Sequence, residues 1–196
     1  MCSKKNAFGG ENNNNNIAIL LIEFQKTWTK KGIFSWLIRK EYESRNVLSN
    51  TINLVEKSRK KWIKVIQAPL ILDKKDKNYK KTPFPARLLN CFTKWTWKAE
   101  FTEGVYEKTD IIIKGRYAFD ACKWSNLEES LIQNEIKKIF ICGFTTSHCV
   151  KETMDSLIQK WFDCVLVSDC TADMSNKLQN KIEKKFEWKI IESKNI

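Results

Sequence analysis

Histidine is almost absent from this chain: His148 is the only one in 196 residues. A zinc site would have to be assembled mostly from scattered thiols, and no C-x-x-C pair is present to begin one, so no metal is expected. Long apolar runs are also missing. No stretch reaches the roughly eighteen residues that a membrane span requires, and Met1 to Asn16 has neither an apolar signal core nor an arginine-rich amphipathic pattern. No membrane partner is expected. Nor does any zinc-finger, RRM, KH or basic-helix signature accompany the formal net charge of +12. The lysines and arginines are spread along the whole sequence, which reads as a solvated basic surface and not as a nucleic-acid face. Such a field can still draw small anions towards a cleft.

Cysteine is plentiful but unpaired in pattern. Seven is an odd number, and Cys2, Cys91, Cys122, Cys142, Cys149, Cys164 and Cys170 show no loop-stapling arrangement. Free thiols in a reducing compartment, the cytoplasm, are the expectation. Hydrophobic residues make up 42% and charged residues 30%, an ordinary globular balance over a length suited to one domain. The polar run Glu11 to Asn16, ENNNNN, cannot bury surface, so residues 1–16 read as a disordered low-complexity tail and 17–196 as the domain.

From Ile17 onward short β-rich runs alternate with helical patterns, which predicts an α/β domain built of βαβ units with a parallel sheet. Ile17 to Ile22 reads as a first strand buried on both faces, 41–60 as a helix, and Ile63 to Gln67 as a second strand. Residues 69–109 are irregular, a length that is usually functional and here expected to wall a pocket. Asp110 to Lys114 reads as a third strand, Ser125 to Glu128 as a capping box, and Lys138 to Gly143 as a fourth strand. A helix from His148 to Lys160, with Val150, Met154, Leu157, Ile158 and Trp161 as its buried stripe, precedes a strand from Cys164 to Ser168. A short helix from Ser175 and a last strand from Trp188 to Ile191 complete the pattern.

Three chemically capable groups stand at the ends of these strands: Glu23 after the first, Lys114 closing the third and Cys149 after the fourth. In open α/β sheets the carboxyl ends of the strands line the ligand crevice, so the three can converge. Cys149 near a helix start, with the Lys114 ammonium beside it, reads as a thiol of lowered pKa, and Glu23 as the group that takes and returns its proton. The turn from Gly143 to Thr146 offers backbone N–H groups for an oxyanion.

The segment from Ile141 to Val150, ICGFTTSHCV, resembles the nucleophile motif of the isochorismatase-like cysteine hydrolases, a family that includes nicotinamidases, N-carbamoylsarcosine amidases and ureidoacrylate amidohydrolases. Ala18 to Gln25 resembles the family's opening strand and acid, Ile113 to Phe119 its lysine strand, and Val165 to Ala172 its closing strand. The resemblance implies a three-layer αβα, Rossmann-like domain with a largely parallel six-stranded sheet. It further implies a covalent cysteine intermediate, an oxyanion hole from the N–H groups of Thr145 and Cys149, a cis peptide at Phe144-Thr145, no organic cofactor and a homo-oligomer. The expected activity is hydrolysis of a small amide or carbamoyl C–N bond by Cys149, Glu23 and Lys114. Two departures stand out. The family's acid is Asp where this chain has Glu23, which motivates the alternative of a non-catalytic binding protein on the same fold. The segment from Leu70 to Lys81 has Asp73 and Asp76 but none of the histidines of the metal-binding nicotinamidases.

Overall fold

The computed structural model describes residues 14–196. Of the proposed tail, residues 1–13 lie outside the described residues. Residues 14–16 form a turn that is tied down: Ile17 N–H donates to the Asn14 carbonyl at 3.2 Å, and Lys137 N–H to that of Asn16 at 2.8 Å.

The strands are β1 (Ile17–Ile22), β2 (Lys64–Ala68), β3 (Ile111–Ile112), β4 (Lys138–Phe144), β5 (Asp163–Ala172) and β6 (Ile190–Ile191). The helices are α1 (Lys26–Thr29), α2 (Ile33–Ser44), α3 (Val47–Lys60), α4 (Phe84–Leu88), α5 (Leu127–Gln133), α6 (Lys151–Gln159) and α7 (Asn176–Lys185). All six strands are parallel, in the order β3-β2-β1-β4-β5-β6. The apolar run of β1 explains its central place. Ile19 and Leu21 enter a core with Val47, Leu54 and Val55 of α3, while Ala18, Leu20 and Ile22 enter a second core with Leu131 of α5 and Met154 and Leu157 of α6. Alternation along one strand thus fills both faces, giving the three-layer α/β architecture.

Several boundaries differ from the sequence reading. The predicted helix over 41–60 is two helices, because Asn46 takes the left-handed conformation (φ 51°) that asparagine tolerates better than most residues. The third strand is two residues long. Asp110 is diverted to Arg59, whose Nε lies 3.0 Å away, and to Gln67 at 2.8 Å. Trp161 is not part of the buried stripe of α6. The helix ends at Gln159, and Trp161 in the turn beyond it (φ 68°) is 95% exposed. No helix among the described residues is long and apolar enough to cross a membrane.

Candidate active site

β1 and β4 are neighbours in the sheet, yet the chain leaves β1 towards β2 on one side and leaves β4 towards β5 on the other. Such a switch point opens a crevice at the strands' carboxyl ends. Glu23 comes directly after β1. β4 ends at Phe144, and the wide π-helical turn Thr146–Val150 carries Cys149. Gly143 makes the close approach possible: its φ is 131°, and a Cβ there would stand 2.0 Å from the Ile22 carbonyl oxygen. The next peptide, Phe144-Thr145, is cis.

Glu23 is itself in the left-handed region (φ 57°), which turns its side chain under the loops, and it is 1% exposed. Oε1 accepts from Arg116 Nη2 at 2.5 Å and Oε2 from Trp28 Nε1 at 2.9 Å. Arg116 is buried too, and its fork is held by the carbonyls of Ala68 (2.8 Å), Ala118 (3.1 Å) and Phe119 (2.7 Å). Glu23 shares a cavity wall with Cys149, and the charges of Glu23 and Arg116 both act on the Cys149 thiol. Burial and then the Glu23 charge push that thiol well above the ordinary cysteine range, and Arg116 opposes them. The expectation of a lowered Cys149 pKa is thereby corrected. Desolvation and the adjacent carboxylate outweigh the one nearby cation.

That cation is not Lys114. Ile113 is buried in the core, Lys114 beyond the end of β3 is exposed, and its backbone N–H is capped by Asn126 Oδ1 at 2.7 Å. The positive φ of Gly115 (82°) then redirects the chain and brings Arg116 inward. The structure joins Glu23 and Cys149 as read from the sequence, leaves Lys114 out, and supplies Arg116, which the sequence reading passed over. The signal was present, because Lys-Gly-Arg offers two cations, but only the backbone turn decides between them.

Cys149 and Glu23 line a cavity of about 190 Å³ whose other walls include Trp28, Phe34, Leu70, Phe92 and Phe119. Pro83, Pro85 and Ala86 from the long connection also face it, so that region does wall a pocket. Gln25 clamps the connection in place, exchanging hydrogen bonds with the Leu70 N–H (2.9 Å) and carbonyl (3.1 Å) and donating to the Ala99 carbonyl (3.0 Å). Of the aromatic residues considered from sequence, Phe119 lines this cavity, Tyr117 lines another, and Trp95 is 92% exposed. His148 stands at the wall, edge-on to Phe119, with Nδ1 2.9 Å from Ser147 Oγ.

The turn bearing Cys149 is fixed from beneath. Ser147 N–H donates to the buried Asp173 carboxylate at 2.5 Å, and Thr146 Oγ1 donates to Gln179 Oε1 at 2.7 Å. Gln179 in turn donates to Glu183, which pairs with Arg45 at 2.6 Å. These supports come from the end of β5 and from α7, and nothing in their local sequence marked them. Among the described residues, no three His, Cys, Asp or Glu side chains cluster as a metal site.

The described residues thus form a doubly wound α/β domain with a buried thiol, carboxylate and guanidinium near its switch point. The isochorismatase domain model matches residues 17–189, and the chain belongs to that family. It is 24% identical over 164 residues to a probable inactive nicotinamidase of Arabidopsis thaliana, covering 80% of this chain and 81% of that one. It is 45% identical over 56 residues to the isochorismatase family protein YrdC of Bacillus subtilis, a match that spans only 29% of this chain and 30% of that protein. Among solved structures, a cysteine hydrolase from Pseudomonas syringae superposes with a TM-score of 0.77 at 12% identity, over 93% of this chain and 91% of the other. The N-carbamoylsarcosine amidase of Thermoplasma acidophilum gives 0.74 at 14% identity, over 92% and 98%. At these identities the structural likeness is one of fold.

Proposed function

We propose that this chain hydrolyses the C–N bond of a small uncharged amide, with Cys149 as nucleophile, Glu23 as acid and base, and Arg116 as the fixed cation that holds Glu23 and faces the thiol. The observation that carries this reading is that Cys149 and the carboxylate of Glu23 face one apolar cavity, with Arg116 paired to that carboxylate at 2.5 Å. A thiol held above the ordinary range is protonated at rest, so proton removal has to accompany attack. Glu23 takes the proton as Sγ bonds to the amide carbon. The oxyanion so formed is assigned to the N–H groups of Thr145 and Cys149, both at the cavity wall. Glu23 then gives the proton to the departing amine, the C–N bond breaks, and a thioester remains. Water activated by the same carboxylate releases the acid and regenerates the thiol. The carbon-rich walls favour a flat or aliphatic body without charge, and the cavity's size restricts it to a small molecule.

Ammonia release from a panel of small aromatic, aliphatic and carbamoyl amides tests the proposal, with hydroxylamine added to capture the thioester as a hydroxamate. Turnover and hydroxamate that both vanish in Cys149→Ala support it; turnover that survives this change sinks it. A second reading, an amide-binding protein without turnover, is favoured by the engagement of both Glu23 oxygens, with Arg116 and Trp28, and by the similarity to a relative named as probably inactive. It predicts saturable amide binding by calorimetry with no ammonia released.

A further inference from the structure

We propose that the cleft on the far side of Arg116 is a second binding site, for a small organic anion with an apolar body and a carboxylate or phosphate head. The inference is independent of the chemistry assigned to Cys149. This cleft, at about 470 Å³, is larger than the catalytic cavity of about 190 Å³, and shares none of that cavity's lining residues. Its floor is apolar, made by Pro69, Ile71, Ile112 and Ile113 where β2 and β3 end.

The charges at its mouth select the sign of a ligand. Asp73 is neutralised locally, one oxygen taking Lys94 Nζ at 2.9 Å and the other the Lys75 N–H at 3.0 Å. Asp76 accepts from the Asn78 N–H at 2.7 Å and keeps its charge. Arg116 is spent on Glu23 and three carbonyls. Lys114 remains: it is exposed at the cleft, and among the described residues its ammonium takes part in no ion pair. The segment bordering the cleft adds Lys74, Lys75, Lys77, Lys80 and Lys81 to the local field. Because these lysines outnumber Asp73 and Asp76, an exposed ammonium over an apolar floor suits an amphiphilic anion, whose head pairs with Lys114 while its body covers Ile112 and Ile113.

The test is titration of the ¹⁵N-labelled full chain with benzoate and with phenyl phosphate, monitored by amide chemical shifts, with benzylamine as the cationic counterpart of the same body. The expected result is saturable shifts at Ile112, Lys114, Gly115 and Tyr117 with at least one anion. The tighter of the two identifies the head, and Lys114→Glu weakens binding by about fivefold or more, the effect of losing one exposed charge contact. Because Lys114 is exposed, that variant is checked for an otherwise unchanged spectrum. The proposal is overturned if neither anion shifts these amides at about 10 mM, a concentration that would reveal even a millimolar site. It is equally overturned if the shifts centre on Thr145, His148 and Cys149, if Lys114→Glu binds as tightly as the parent, or if benzylamine binds as well as the anions.

Discussion

Arg116 Nη2 lies 2.5 Å from Glu23 Oε1, and neither side chain has more than 2% of its surface in contact with solvent. The sequence resemblance implies Glu23 working with Lys114, whereas the buried partner of Glu23 is Arg116, two residues further on. A carboxylate one methylene longer than an aspartate's and a planar fork form a unit whose charges act on Cys149 and whose guanidinium is anchored to the strand-end carbonyl of Ala68. The proposed hydrolysis depends on both members of that unit keeping their places.

Glu23→Gln should separate electrostatics from catalysis. The carboxylate's charge is one reason the Cys149 thiol sits high, so its removal should lower the thiol pKa and speed iodoacetamide alkylation of Cys149 several-fold at about pH 8. Amide hydrolysis should meanwhile fall by roughly 10² or more, since the proton carrier is gone. Peptide mass spectrometry reads the first effect and ammonia release the second. Slower alkylation in the variant would show that Glu23 activates the thiol at rest, contrary to the electrostatics described.

Arg116→Met leaves the Glu23 carboxylate buried without its partner and should cost about 3–5 kcal/mol in urea unfolding. Lys114→Met changes an exposed side chain and should stay within roughly 0.5 kcal/mol. Arg116→Lys keeps the charge but loses the fork that fixes Glu23, and a displaced carboxylate should lower kcat by about 10²-fold. A greater loss of hydrolysis from Lys114→Met than from Arg116→Lys would return the catalytic role to Lys114.

Gly143→Ala places a methyl group against the Ile22 carbonyl, at 2.0 Å before relaxation. Strands β1 and β4 would have to separate where the two halves of the site meet, at a cost of about 3 kcal/mol or more. Thermal unfolding of the variant checks this. A melting temperature equal to the parent's would show that the strands are not held as closely as described.

Tyr42 carries a buried hydroxyl with no hydrogen-bond partner among the described residues, packed against Phe144 with ring centroids 5.8 Å apart. Tyr42→Phe should therefore stabilise the fold by roughly 1 kcal/mol. Burial also raises the phenol from 10.0 to about 12, so between those values the unfolded chain releases a proton that the folded one retains. Stability from this group is intact below pH 10 and declines as pH rises towards 12, and the phenylalanine variant should show a shallower alkaline decline. Tyr117, also raised to about 12, contributes in the same direction and remains in the variant. Unfolding midpoints measured across that window decide the point, and an unchanged slope would argue against a buried, unpartnered hydroxyl.

Periodicity and burial determined the frame from sequence alone. A continuous apolar run such as Ile17–Ile22 has few alternatives to a central strand covered on both faces, and the alternation of strands with amphipathic helices implies a parallel sheet. With the strands placed, Glu23 and Cys149 fall at strand ends, where chain order suffices to bring them near one another. What the sequence could not decide depended on single backbone torsions and on contacts between distant segments. The left-handed turn at Gly115 presents Arg116 and not Lys114 to the site, and Asn46 splits one predicted helix into two. The elevated Cys149 thiol belongs to the same class, because its causes are its own burial in the tertiary fold and then the charge of a carboxylate 126 positions away in the chain. Hydrophobic patterning is a sum over many residues and survives local errors, whereas one dihedral or one buried charge has no such averaging, and only the tertiary structure fixes it.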